Sequence, residues 1–324
     1  MTSVTRAALA FAAACLIGPC TAAYAQQYPS KPVRIIVPFP AAGAVDAVTR
    51  IVGEKLSNKW GQPVIVDNRP GAASNIGAEA VYRADPDGYT LLACPTPTLS
   101  INQNLYKQLP YDPTKFVPIT ILATLPNAIT ARIDLPANSV KELIAYAKAR
   151  PGKMTYASQG SGTTSDLSAQ MLASMAGLEL VHIPYKGEVP ALTDIVAGRV
   201  DIFIGNIYAG LRFQQANKVK FLGVADTSRS PVAPDIPTVI EAGLPGFVSI
   251  AWFALVAPPA TPNAIAQQIN AAAVEALKMP EVQKRFLDQG LTPVGNSTAE
   301  MAAFVTEETA RWQTVIKTAK VTLQ

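Results

Sequence analysis

Short runs of β-branched and apolar residues recur along this chain, and most are followed by apolar residues at helical spacing. Residues 33–37 (VRIIV) form such a run. Val45, Val48, Val52 and Leu56 then repeat on one helical face until Trp60-Gly61 stops the pattern. A strand at 64–66, the loop Asn68-Arg69-Pro70-Gly71, a helix at 76–84, the turn Asp85-Pro86-Asp87-Gly88 and a buried strand at 89–94 follow. Strand–helix–strand–helix–strand in this order constrains the chain to an α/β fold with a mostly parallel sheet, because parallel neighbours need a crossover and a helix supplies it. After a loop at 110–118 and an extended segment at 119–131, the alternation resumes. Helices are predicted at 140–149, 164–176 and 189–197, the second stopped by Gly177. Strands are predicted at 154–158, 180–184, 202–204 and 219–225. A second extended segment, 250–257, precedes helices at 265–278, 280–289 and 298–318. Two α/β units joined by two extended crossings predict a two-lobed molecule with a hinged cleft that closes on a small ligand.

The first 25 residues are expected to be no part of that fold. Arg6 is a short positive region, residues 7–17 are an apolar stretch too short to span a bilayer, and Ala23-Tyr24-Ala25 has the small-x-small pattern of signal-peptidase cleavage. Cleavage after Ala25 would leave an exported mature chain beginning Gln26-Gln27-Tyr28. Cys20 follows Pro19, which argues against a lipoprotein. Cys15 and Cys20 leave with the signal, so Cys94 has no partner for an internal disulfide; in an apolar run it reads as a packed small residue. A net charge of +4 without a Lys/Arg cluster, and few scattered aromatic residues, give no support for nucleic-acid binding.

Two loops stand out. In the first, Phe39, Pro40, Ala41, Ala42, Gly43 and Ala44 lead from a strand into a helix that carries Asp46. Free N–H groups at a helix start attract anions, and Gly43 allows close backbone approach. The same pattern also fits an ordinary strand–helix loop whose Asp46 only complements its own helix dipole. In the second, Ser158, Gln159, Gly160, Ser161, Gly162, Thr163, Thr164 and Ser165 also join strand to helix. One Ser or Thr makes a cap; five hydroxyls in eight residues exceed that need and favour a binding loop.

Enzyme signatures are sparse. Gly160-Ser161-Gly162 matches half of a dinucleotide fingerprint, but Ser165 stands at the third glycine and Glu179 lies at the start of the next strand, where no ribose contact belongs. There is no G-x-S-x-G elbow and no phosphate-binding G-x-x-x-x-G-K-[ST] loop. His182, the one histidine, lies in an apolar strand and reads as a hydrogen-bonded strand residue. One His and one mature Cys do not make a zinc site, and no metal or cofactor is expected. An exported hydrolase with Ser161 or Ser165 as nucleophile is the competing class; with His182 elsewhere it has no base to activate either serine.

Several stretches together resemble the substrate-binding proteins of tripartite tricarboxylate transporters, the Bug receptors. They are Val37-Pro38-Phe39-Pro40 with Gly43 and Asp46; Asn68-Arg69-Pro70-Gly71 with Asn75-Ile76-Gly77-Ala78-Glu79; Pro86-Asp87-Gly88-Tyr89-Thr90-Leu91-Leu92; Pro184-Tyr185-Lys186-Gly187; Pro190-Ala191-Leu192-Thr193-Asp194; Pro234-Asp235-Ile236-Pro237-Thr238; and Glu241-Ala242-Gly243-Leu244-Pro245-Gly246. Seven weak motifs in order over the mature chain are specific together. The resemblance implies a two-lobed α/β periplasmic binding protein (type II-like), with lobe 1 from 26–125 and 251–324 and lobe 2 from 126–250. It implies a monomeric receptor, and not an enzyme, that delivers a small carboxylate to a membrane permease; a receptor used only for sensing is an alternative. The two loops would face each other across the cleft and hold carboxylate through amides, hydroxyls and bridging waters. By the same resemblance Thr96, Pro184, Tyr185 and Asn206 join the site. The chain departs from the family pattern at Ala42, where Gly is usual, at Asp166, where many relatives carry His, and at Gly205, where many carry an acid. Loss of that acid points to a di- or tricarboxylate or an aromatic carboxylate without an ammonium group.

Overall fold

The computed structural model describes residues 28–318, so the predicted signal segment and its expected cleavage site lie outside the described residues. Residues 28–30 carry no helix or strand. The rest of the described chain begins with β1 (Val33–Val37), α1 (Ala44–Trp60), β2 (Val64–Asn68), α2 (Asn75–Tyr82) and β3 (Thr90–Pro95). β1 lies between β2 and β3 and is parallel to both. α1 buries Val45, Val48, Ile51, Val52 and Leu56, the stripe its sequence spells out, and ends at Gly61 in the left-handed region (φ 64°). A turn at Pro97–Ile101 and the short α3 (Asn102–Leu105) follow β3; neither was foreseen from sequence.

β4 (Val117–Arg132) is the first predicted crossing, three residues longer than expected. Beyond it come α4 (Val140–Lys148), β5 (Met154–Ser158), α5 (Thr164–Ala176), β6 (Leu180–Pro184), α6 (Glu188–Val196), β7 (Ile202–Asn206), α7 (Ile207–Gln215) and β8 (Val219–Val224). β5 runs parallel to β6 and β7. β9 (Ile250–Ala257) is the second crossing. It leads to α8 (Asn263–Lys278), α9 (Pro280–Leu287), β10 (Thr292–Pro293) and α10 (Thr298–Thr318).

The strands order as β2-β1-β3-β9-β4-β7-β5-β6. Every pairing that involves β4 or β9 is antiparallel, so the sheet is mixed: parallel towards its two ends and antiparallel through its middle. β4 changes partners along its length. Val117 to Pro126 pair with β9, whereas Asn127 to Arg132 lie between β7 and β8. The change falls at a buried polar node: Asn127 Nδ2 donates to Ser249 Oγ (2.8 Å) and Ser168 Oγ (3.2 Å), and the Asn127 N–H donates to the Ser249 carbonyl (2.9 Å).

Separate apolar cores lie on either side of this point. Ile36, Val81, Leu92, Tyr111 and Trp252 pack in the first half of the sheet, and Ile129, Leu143, Tyr156, Leu172 and Phe247 in the second. Cys94 is fully buried in the first, where desolvation pushes its thiol pKa far up, as expected of a packing residue.

Candidate ligand-binding cleft

The two loops singled out from sequence have the same local geometry in the two halves of the sheet. In each, a left-handed residue (Ala42, φ 67°; Gly162, φ 78°) precedes an extended N-cap (Gly43, Thr163). An aspartate three residues into the helix then turns back. Asp46 Oδ2 accepts from the Ala42 N–H (2.9 Å) and Asp166 Oδ2 from the Gly162 N–H (2.8 Å). Burial alone would raise the Asp46 carboxyl, but hydrogen bonds from Arg50, Ala42 and Asn68 hold it below the usual carboxylate range. Asp46 therefore shapes its loop besides facing its helix dipole, and Asp166 does the same on the other side.

These internal bonds take up several of the N–H groups from which an anion site was expected. Gln159 N–H donates to Ser165 Oγ (2.8 Å), Gly160 N–H to Ser158 Oγ (3.1 Å) and Thr163 Oγ1 to the Gly160 carbonyl (2.7 Å). The hydroxyl surplus of the second loop is in good part internal wiring. Thr96 Oγ1 accepts from the Trp252 N–H (2.9 Å) and is fully buried between β3 and β9. Ala41 and Pro184 are exposed.

Phe39, Gly43, Gln159 and Asn206 from the predicted set do meet, around a small cavity of about 20 Å³ that Glu188 also lines. Phe39, Gln159, Gly160, Ser161 and Tyr185 line a second cavity, of about 250 Å³, against Ala72, Ala73 and Ser74. Phe39 and Gln159 belong to both walls. The strained turn at Ala72 (φ 47°), Ala73 (φ 48°) and Ser74 (φ 82°) was invisible in the sequence, because Ala-Ala-Ser carries no left-handed signature. Its surroundings hold it: Asn102 Nδ2 donates to the Ala73 carbonyl (3.1 Å), and the Ser74 and Thr98 hydroxyls pair at 2.8 Å.

Glu188 is the residue that sequence reasoning missed. It opens α6 directly after Gly187, and its side chain crosses to the start of α1. Oε1 accepts from the Ala44 N–H (2.5 Å); Oε2 accepts from Gln159 Nε2 (2.9 Å) and Asn206 Nδ2 (2.9 Å). A Cβ built on Gly43 would stand 2.9 Å from Oε1, so the glycine gives this carboxylate its close approach. Burial raises the Glu188 carboxyl to about 7, against the lowering effect of the Ala44 and Asn206 hydrogen bonds. The expectation of a ligand without an ammonium group rested on Gly205, where many relatives carry an acid. A Cβ there would lie 2.0 Å from the Phe203 ring, so that position admits no side chain, and the acid arrives from a different element.

His182 is the hydrogen-bonded strand residue expected from sequence, but it lies beside the second loop and not away from it. Parallel pairing of β5 with β6 sets it beside Tyr156, whose ring it stacks on at 4.6 Å, and its Nε2 lies 2.7 Å from Ser158 Oγ. A serine of the second loop thus does have a histidine. It is not a hydrolytic pair. Ser158 is fully buried, and Asp166 lies 3.7 Å from the same Nε2 and so does not orient the ring through its other nitrogen. Ser165 is fully buried and bonds Thr163 Oγ1 and the Gln159 N–H, not His182. Desolvation lowers the His182 pKa below that of a free imidazole, and the Asp166 carboxylate opposes the shift.

The chain as a whole is similar to known proteins. Residues 48–321 match the family model described as tripartite tricarboxylate transporter family receptor. A protein of Pseudomonas sp. strain P51, described as the UPF0065 protein in the tcbD–tcbE intergenic region, is 38% identical over 291 residues, 89% of this chain and 86% of its own. Among solved structures, Rpa4515 of R. palustris with adipate superposes with a TM-score of 0.89 at 34% identity, covering 91% of this chain and 99% of that one. The periplasmic binding protein BugD gives 0.87 at 34% identity, covering 92% and 100%. MatC (Rpa3494) of Rhodopseudomonas palustris with bound malate gives 0.85 at 33%, covering 89% and 100%.

Proposed function

We propose, from the premise that the chain belongs to the tripartite tricarboxylate transporter receptor family, that it is exported, closes as a monomer on one small carboxylate and hands it to a membrane permease. Members of this family are periplasmic solute receptors with the mixed α/β binding-protein fold. The observation that carries the reading to this chain is the convergence of a helix-start N–H and two carboxamides, from three separate elements, on one carboxylate in a cavity between the matching loops. Such a convergence is a geometry that holds a carboxylate, here that of Glu188, at the meeting point of the two loops. That solved relatives were obtained with adipate and malate supports small diacids as the first ligands to try.

The lobes are taken as 26–125 with 251–324, and 126–250. The partner change of β4 at Pro126/Asn127 and the start of β9 at Ile250 support hinges at those two points. No enzymatic activity is proposed, since His182 serves no exposed serine. Titration calorimetry of the mature protein against di-, tri- and aromatic carboxylates tests the reading; saturable one-to-one binding without turnover is expected. Hydrolysis of a bound ester, or indifference to every carboxylate, would overturn it. N-terminal sequencing of the exported protein should begin at Gln26.

A further inference from the structure

Glu188 is only 6% exposed, and its three partners are neutral. Among the described residues, no Lys, Arg or His lies within ion-pair distance of it. The nearby carboxylate of Asp46 on α1 is paired to Arg50 instead. A buried carboxylate without a cation carries a large desolvation cost that neutral donors offset only in part. Asn206, in the same cavity wall and 5% exposed, leaves its Oδ1 without a partner. Its orientation is set by Glu188: turning the amide over would put a carbonyl against a carboxylate. The cavity thus presents a spare carboxylate lone pair and an unused carbonyl oxygen around about 20 Å³, room for one water-sized group. What this corner lacks is a compact cationic donor. The second cavity of about 250 Å³, which shares Phe39 and Gln159 as walls, has space for the remainder of a small acid.

We propose that Glu188 is a specificity-determining residue: with Asn206 it reserves the small cavity for a positively charged N–H group, so that the preferred ligand is a small carboxylate bearing an amino group. This rests on the receptor reading and narrows its substrate class. A site built to pair a donor discriminates strongly against the analogue that lacks it, because its own acceptors are then left buried and unpaired.

Matched acids test it by calorimetry on the mature protein: succinate with aspartate, glutarate with glutamate, adipate with 2-aminoadipate. In each pair that binds, the amino acid should bind at least tenfold more tightly to the wild type. Glu188→Gln, which keeps the shape, should abolish that preference by weakening the amino acid and not the plain diacid; Glu188→Ala is the second variant. Equal or tighter binding of the plain diacids by the wild type would overturn the inference while leaving the receptor reading intact. So would a preference that survives both substitutions. No binding by any carboxylate would overturn both. The wild-type comparison decides even if a variant does not fold.

Discussion

At Glu188 a residue that looks ordinary in the sequence is given its role by its neighbours. An acid at the first position of a helix normally complements the helix dipole from solvent. Nothing in Lys186-Gly187-Glu188-Val189 says that the chain turns the acid inward; that follows from Gly187 (φ 146°) packing against Pro40 and from Gly43 yielding space. The predicted loop residues Gln159 and Asn206 were legible as polar groups at strand ends, but their common partner was not. The Glu188 carboxyl titrates near 7 in the fold against 4.5 as a free side chain. Between these values the folded chain keeps a proton that the unfolded chain has released, so stability falls as pH rises through this window and is flat above it. The loss is about 3 kcal/mol at most. Asp46 is held ionised and Tyr208 held protonated across the window, but His182, lowered by burial, contributes a slope of opposite sign. The observable is therefore a difference: urea-unfolding free energy of wild type minus that of Glu188→Gln, from pH 4 to 8, should fall with pH. A difference that stays level would show that Glu188 ionises normally.

The helices that begin at the two loops, α1 and α5, show which part of an element a sequence reveals. Their existence, apolar faces and stops at Gly61 and Gly177 follow from spacing and composition. Their matching starts do not, because Pro-Ala-Ala-Gly-Ala-Val-Asp and Gly-Ser-Gly-Thr-Thr-Ser-Asp share only the aspartate and a glycine in different places. α7 was missed outright: it leaves β7 with no intervening turn, and its Gly210 looks like a breaker although it is there to let Phe221 approach, a built Cβ standing 2.6 Å from that ring. The shared start makes opposite predictions at equivalent positions. Ala42 adopts φ 67°, which costs an L-residue about 1 kcal/mol or more. Ala42→Gly removes that strain but loosens the unfolded chain, for a net gain of less than about 1 kcal/mol. Gly162→Ala places the same strain in the second loop and should destabilise by about 1 kcal/mol. Chemical denaturation of the two variants reads both signs; destabilisation by Ala42→Gly would mean that the left-handed geometry there is not a strain.

Across the whole molecule, the two halves are joined unequally. β4 and β9 run through the middle of the sheet, and a small apolar cluster of Ile101, Leu167, Trp312 and Ile316 ties α5 to α10 beside them. At the loops, the join includes one buried carboxylate reaching from α6 to the Ala44 N–H. Strands and an apolar cluster give a durable pivot, whereas a carboxylate whose desolvation is only partly offset gives a latch of modest strength. The two crossings were visible in sequence as long extended runs, but the imbalance between pivot and latch depends on which side chains meet, and so only appears in three dimensions. It predicts that the unliganded protein samples open forms and that ligand shifts it to the closed one. A bound acid at about one hundred times its dissociation constant adds roughly 2.7 kcal/mol to the closed state. For a chain of this size that raises the melting temperature by roughly 5 °C. Small-angle scattering should show the radius of gyration falling on saturation. In Glu188→Ala, with the latch removed, the unliganded radius should exceed that of the wild type. A radius unchanged by ligand and by the substitution alike would mean that the halves do not move about β4 and β9 at all.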